Sequence, residues 1–215
     1  MLGVRGWVVA TLLVGLCCPL RAAAQGGLAN REATAQPDNP VREGFTLELG
    51  VGAAVTFVST TYSTGCFSTT GDCATEGDVT ETESFGGFAP LSVGIGGFLS
   101  KRVALEFRVA GTSYFEREEN WVHAFAGPAI QVWPGDRVML GAGVGAGTFG
   151  ENPLLSRRGA LTSRAYSGVA LSLRGGYAFL TNRDHALRCS LEFLPGFYDN
   201  RRVVGSALSL EWQLL

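Results

Sequence analysis

The sequence predicts an all-β protein, an eight-stranded antiparallel up-and-down transmembrane β-barrel. Three observations lead there. Val103–Tyr114 (VALEFRVAGTSY) sets Val103, Leu105, Phe107 and Val109 on one face and Ala104, Glu106, Arg108 and Ala110 on the other, the period of two that belongs to a strand. Segments with the same alternation recur to the end of the chain, and little else supplies a second apolar layer for them to pack against. The separators between them alternate between long polar loops and short turns. Apolar faces without a protein partner are satisfied by lipid, which turns the small and charged faces into a closed lumen.

Taken in order, Met1–Ala24 reads as a secretory signal: Arg5 is the positive start, Trp7–Leu20 the apolar stretch, and Ala22-Ala23-Ala24 a small-residue cleavage site. The apolar stretch is shorter than the ~20 residues of a membrane-spanning helix. Cys17 and Cys18 leave with it, since Leu16 is too bulky for a lipobox. Cleavage removes Arg5 and Arg21 from the 17 basic residues and none of the 19 acidic ones, so the exported chain is more acidic than the formal −2 of the whole. That balance excludes a nucleic-acid partner. Residues 25–42, polar and containing Pro37 and Pro40, read as a flexible leader, and residues 43–215 as the barrel domain.

The first strand, Gly44–Val58, sets Phe45, Leu47, Leu49, Val51, Val55 and Phe57 against Thr46, Glu48, Gly50, Gly52 and Thr56. After the loop Ser59–Thr82, the second strand, Glu83–Leu99, sets Ala89, Leu91, Val93, Ile95 and Leu99 against Ser92, Gly94 and Gly96. Ser100-Lys101-Arg102 turns the chain into the third strand, Val103–Tyr114, and a charged loop, FEREEN, follows it. The fourth, Trp121–Trp133, carries Gly127-Pro128, where a bulge is expected because proline cannot donate to a ladder. Pro134-Gly135-Asp136 is a turn. The fifth, Arg137–Phe149, alternates apolar residues with Gly141, Gly143, Gly145 and Gly147. Its GAGVGAG run has no helix after it and reads as barrel packing, with no dinucleotide-binding role. The sixth, Arg164–Phe179, sets Val169, Leu171 and Leu173 against Ser172 and Arg174. The seventh, Ala186–Phe197, sets Leu187, Leu191 and Phe193 against Arg188, Ser190 and Glu192. The eighth, Val203–Leu215, sets Leu208, Leu210, Trp212 and Leu214 against Ser209, Glu211 and Gln213.

Loops follow strands one, three, five and seven, and turns follow two, four and six, so loops share one rim and turns the other. Long extracellular loops and short periplasmic turns have this asymmetry. Aromatic residues near strand ends, among them Phe45, Phe57, Phe85, Tyr114, Phe115, Trp121, Trp133, Phe149, Tyr166, Tyr177, Phe179, Phe197, Tyr198 and Trp212, are expected to form two interfacial girdles. Cys66 and Cys73 lie in one polar loop of an exported chain, where a disulfide is expected, the alternatives being two free thiols or a metal pair lacking its other ligands. Cys189 alternates with Leu187 and Leu191 as a small apolar residue.

This arrangement over Gly44–Leu215 resembles the small bacterial outer-membrane β-barrel proteins, the group of the OmpA transmembrane domain and OmpX-like proteins. The resemblance implies a bacterial outer-membrane location, outer-membrane lipids and lipopolysaccharide as surroundings, and folding by the barrel-assembly machinery. That machinery reads an alternating C-terminal strand ending in an aromatic. ALSLEWQLL keeps the alternation and ends on Leu215, out of phase and not aromatic. A monomer is expected.

Counted from the turn rim, Glu48, Glu106, Arg108, Arg174, Arg188, Glu192 and Glu211 fall in the lower lumen. Eight strands leave an interior about filled by side chains, and an unpaired charge there costs several kcal/mol. A hydrogen-bonded plug that locks register is therefore expected, in a protein with a structural or surface-interaction role. The alternative is a narrow ion or small-solute path. No cofactor or metal motif is present, and no enzyme is expected. The lipid A-modifying enzymes built on such barrels need a nucleophile, a base and an acid. His123 with Ser113 and Glu118 or Glu119 is the nearest approach, and the deacylase His-x-Ser spacing is absent, the residues being His123-Ala124-Phe125. His185 reads as a solvated turn residue. The first loop, acidic through Asp72, Glu76, Asp78, Glu81 and Glu83, is the longest exposed surface, and Arg157, Arg158, Arg164, Arg201 and Arg202 are placed to meet lipid phosphates.

Overall fold

The structure is a computed structural model, and it describes residues 42–63, 78–116, 119–151 and 165–215. Eight strands follow one another: β1 Gly44–Ser63, β2 Asp78–Ser100, β3 Val103–Glu116, β4 Glu119–Val132, β5 Val138–Glu151, β6 Ala165–Thr181, β7 His185–Tyr198 and β8 Arg201–Leu214. Each pairs antiparallel with the next, and β8 returns to β1, so the sheet closes into a barrel. Closure removes the edges that an open sheet would leave within the membrane.

The pleat then decides which residues meet which solvent. Along β3, Leu105 and Phe107 are 50% and 56% exposed on the outer wall, whereas Glu106 and Arg108 between them are 3% and 0% exposed inside. The inversion holds round the barrel: Leu49, Val51, Ile95, Leu140, Val144, Val169, Leu173, Leu191 and Leu210 are exposed outward, while Thr46, Glu48, Ser92, Gln131, Ser172, Ser190, Ser209 and Glu211 are buried inward. A water-soluble barrel would reverse these two sets.

Several elements depart from the sequence expectations. β1 and β2 run 20 and 23 residues against 14 to 17 for the other six, because Ser/Thr/Glu-rich segments beyond the barrel continue to pair. β4 passes through Gly127-Pro128 without a bulge. The ladder to β5 leaves these two residues unpaired and resumes in the same register, with Pro128 exposed on the outer wall. Register shifts occur elsewhere, between Ala178 and Leu180 of β6, near the end of β2 at Phe98–Ser100, and above all in mid-β2, where pairing to β1 slips between Gly50 and Gly52 and pairing to β3 slips between Phe88 and Val93. That slip turns Ala89, expected outside, into the lumen against Ala54 and Ala207. Leu215 continues the inward parity of Gln213 and closes the turn rim, its N–H donating to the Asp184 carbonyl at 2.7 Å.

The aromatic expectation is corrected in part. Phe45, Phe57, Phe115, Tyr177, Phe179 and Phe197 stand on the outer wall. Tyr114, Phe149 and Tyr198 share parity with inward residues and pack with Val58 and Val203 inside the loop-side mouth, joined by Phe85, Trp121 and Tyr166. Trp133 is fully buried at the opposite mouth with Met139, Ala178, Ala186 and Leu215. These rings close the lumen at both ends and take no part in an outer girdle.

Candidate functional site: the lumen

The lumen is filled in layers. At the turn side the chain before β1 bends at Gly44, whose φ of +79° suits glycine. Arg42 packs at the mouth beneath this bend and is 4% exposed, so the last residue of the expected leader is held in place. Its guanidinium lies 4.2 Å from the centre of the Trp133 ring and donates to the Asp136 carbonyl at 2.5 Å. Burial lowers its pKa from the usual guanidinium value, with the Asp136 carboxylate opposing. The Arg188 guanidinium stands 5.8 Å from the same ring.

Above this layer all seven charged residues expected in the lower lumen come together. Arg108 forms a fork with Glu192, Nε donating to Oε1 at 3.0 Å and Nη2 to Oε2 at 2.8 Å, and also donates to Glu48 and, at 3.4 Å, to Glu211. Arg174 donates to Glu48 and Glu106. Arg188 donates to Glu211 at 2.6 Å and to Glu48 and Gln213. Glu48 thus accepts from three arginines contributed by β3, β6 and β7. Charge-assisted bonds of this kind are the strong ones, and their directions tie strands across the lumen as well as along the wall.

The polar residues that complete the network were not singled out from sequence. Gln131 Nε2 donates to Glu48 at 2.8 Å and to Glu106 at 2.6 Å, and Gln213 Nε2 donates to Gln131 Oε1 at 2.9 Å and Thr46 Oγ1 at 3.0 Å. Ser172 donates to Glu192 at 2.8 Å, and Ser190 to Glu211. Their inward parity was readable; that an amide would bridge two carboxylates depends on registry between distant strands.

The inward glycines make room for these groups. A Cβ on Gly141 would stand 2.7 Å from Arg174 Nε, one on Gly94 2.7 Å from Glu106 Oε2, and one on Gly50 2.7 Å from Glu211 Cγ. The glycine row of β5 is thus the smooth wall against which Arg174 and, higher up, Phe125 and Tyr198 lie.

Over the network lies an apolar layer of Ala110, Phe125, Ala170 and Leu194. Next come Thr56, hydrogen-bonded to Thr112 at 2.8 Å, and His123, with the aromatic cap above. His123 is fully buried and neither ring nitrogen has a hydrogen-bond partner among the described residues. It meets Tyr198 edge-on at 6.0 Å between ring centres. Ser113 lies one residue from Thr112 and so belongs to the opposite face of the sheet, where it is hydrogen-bonded to Asn120 at 2.8 Å. The His123–Ser113 approach conceivable from sequence is therefore not assembled, and Glu118 lies outside the described residues.

Other expected residues also find definite places. His185 begins β7 and closes the turn before it, its N–H donating to Asn182 Oδ1 at 2.6 Å, and its half-buried ring packs on Trp212 at 5.4 Å between ring centres, so it is a turn residue as expected but not a freely solvated one. Cys189 lies on the outer face opposite Tyr177 and Leu210. Arg201 stacks 4.6 Å over Tyr166 at the loop-side mouth, and Arg202 is exposed. The signal segment, residues 25–41, Cys66, Cys73, Asp72, Glu76, Arg157, Arg158 and Arg164 lie outside the described residues.

A closed antiparallel barrel with an apolar outer wall and a charged interior is a membrane-spanning β-barrel, of the class that occupies bacterial outer membranes. No family model and no curated protein matches the chain. Among solved structures it is similar to Ail, the attachment invasion locus protein of Yersinia pestis, in complex with the heparin analogue sucrose octasulfate (16% identity, TM-score 0.47, 80% of this chain and 99% of that one). It is also similar to Neisserial surface protein A (12%, TM-score 0.48, 80% and 96%) and to OprG from Pseudomonas aeruginosa (10%, TM-score 0.43, 82% and 98%).

Proposed function

We propose that this protein is a non-conducting, non-enzymatic barrel of the bacterial outer membrane whose lumen is a structural plug and whose loop-side rim is the working surface. The observation that carries this reading is the layered filling of the interior. Arg108, Arg188, Glu48 and Glu211 are fully buried and mutually paired, with packed rings above and below. An ion crossing this interior would have to break several charge-assisted bonds in succession, each in a low-dielectric site where a lone charge is costly. The catalytic alternative loses support because His123 and Ser113 face opposite sides of β4 and β3.

Planar-bilayer recording tests the proposal. The wild-type protein is expected to give no steady conductance, and a variant with Arg108→Gln and Arg174→Gln is expected to show fluctuating leak as the plug loosens. Steady unitary steps from the wild type would instead establish the ion-path reading.

A further inference from the structure

The inner face of the loop-side mouth repeats one pattern on four consecutive strands. Each brings an aromatic ring and, two residues nearer the rim on the same face, a glutamate: Phe85 with Glu83 on β2, Tyr114 with Glu116 on β3, Trp121 with Glu119 on β4, and Phe149 with Glu151 on β5. The pairing fixes the face. Phe85 stands opposite Thr56, which is buried in the lumen, Tyr114 opposite Trp121, and Trp121 opposite Glu151. Glu81, opposite Thr60, continues the β2 row towards the rim. The rings below pack on one another, Phe85 on Tyr114 with centres 4.4 Å apart, Trp121 on Phe149 at 5.3 Å and Phe149 on Tyr166 at 6.3 Å. The mouth is thus a cup with an aromatic floor and an acidic wall.

Two further observations say what this cup takes. Glu151 is 8% exposed, and its Oε2 has no hydrogen-bond partner among the described residues. A buried carboxylate without a countercharge is costly, and such a group marks the place of an ion or ligand. The aromatic wall also accepts a cation face-on, because the Arg201 guanidinium lies 4.6 Å over the Tyr166 ring. Among the described residues of the mouth Arg201 is the one inward-facing base, and it stands on β8, across from the glutamate row. A single metal ion does not fit that row: among the described residues no three acidic, histidine or cysteine side chains converge closely enough to hold one. Charges spread around a rim call for a ligand whose own charges are spread.

We propose that the loop-side mouth binds a linear alkyl polyamine, with its ammonium groups between the rings and the carboxylates and its methylene runs on the ring faces. An ammonium over an aromatic face is attracted by the ring quadrupole, and a carboxylate on its other side supplies a charge-assisted hydrogen bond. Neighbouring strands stand ~4.8 Å apart, a spacing that a short methylene run spans, so one ligand meets the ring–glutamate pairs of several strands. An inorganic cation has no use for the rings. The proposal rests on the reading of the loop-side rim as the working surface and names the chemical class of its ligand.

The test is calorimetric titration of the full chain, in a zwitterionic detergent and at one ionic strength, with spermidine, magnesium chloride and tri-lysine. Spermidine is expected to saturate and to bind about tenfold more tightly than magnesium. Glu81→Gln with Glu83→Gln, both exposed, is expected to weaken spermidine about tenfold. Glu151→Gln is expected to weaken it more, about thirtyfold, and Trp121→Leu about fivefold, with magnesium unchanged. Heat-modifiable migration checks folding, and if the Glu151 or Trp121 variant fails it, the exposed double variant and the comparison of spermidine with magnesium still decide. Equal affinity for spermidine and magnesium, or full spermidine affinity in folded Trp121→Leu, would reduce the cup to a counterion surface and overturn the proposal. Full affinity in the double variant would place binding elsewhere and overturn it too. Tighter binding of tri-lysine would make a basic peptide the occupant and overturn the polyamine. Binding is read on purified protein, so a wild type that conducts and still binds would sink the plug and leave the cup standing.

Discussion

The two halves of the lumen are filled by opposite means. The turn-side half is charged and its partners are supplied in full: three arginines and four glutamates share bonds with two glutamines and two serines. The loop-side half is filled by Phe125, Leu194, Tyr114, Phe149 and Tyr198, and its fully buried imidazole, His123, has no hydrogen-bond partner among the described residues. Both halves are packed with buried side chains. They differ in what a single deletion does, because removing one member of an ionic network strands the charges left behind, whereas apolar packing loses only contact and volume.

The largest effect is therefore expected at Arg108. Arg108→Met keeps the apolar stem but leaves Glu192 without its fork and Glu48 without one of its three arginines. Breaking a buried pair on one side costs about 3–5 kcal/mol. Urea unfolding of the barrel in lipid vesicles, followed by heat-modifiable migration, should show a correspondingly lower midpoint. A loss below about 1 kcal/mol would show that the network behaves as a solvated surface and that the contrast between the halves is false.

The sequence showed the wall more readily than the filling. Period-two alternation fixes which side of the sheet each residue takes, and Leu105, Glu106, Phe107 and Arg108 lie where that pattern puts them. It cannot show where a strand end stops being wall and becomes lid. Tyr114, Phe149 and Trp133 looked like girdle residues because they stand near strand ends, and their inward parity was the signal passed over. Nor does parity give the height at which strands far apart in sequence meet. That Gln131 lies between Glu48 and Glu106 depends on the registers of β1, β3 and β4 together. The slip in β2 that turns Ala89 inward had no plain mark beyond Pro90.

The glycines sharpen the comparison from the packing side. A Cβ at Gly196 would fall 2.6 Å from Tyr198 Oη and 2.7 Å from His123 Nε2, inside a layer of stiff rings. Gly196→Ala is expected to cost about 1–3 kcal/mol through overpacking. Gly175→Ala, whose nearest foreign atom is Leu140 Cδ2 at 3.7 Å, should change stability by no more than about 0.5 kcal/mol. Equal losses at the two positions in the same urea titration would mean that the loop-side layer yields, and that rigidity belongs to the charged half alone.

A small effect, and the one of unexpected sign, is expected at His123. Neutral imidazole carries one N–H donor and one acceptor nitrogen, and here both are buried with no protein partner among the described residues. Leucine in its place removes that desolvated polar pair while filling much of the same space beside Thr112 and Tyr198. Replacing a buried unsatisfied polar group by an apolar one of similar shape is close to neutral or stabilising, so His123→Leu should leave the urea midpoint unchanged or raise it, by at most about 1 kcal/mol. A fall of about 2 kcal/mol would mean that the ring is held by hydrogen bonds to something other than the protein, such as enclosed water. The loop-side half would then be a second polar network, and the contrast with the turn side would be one of degree.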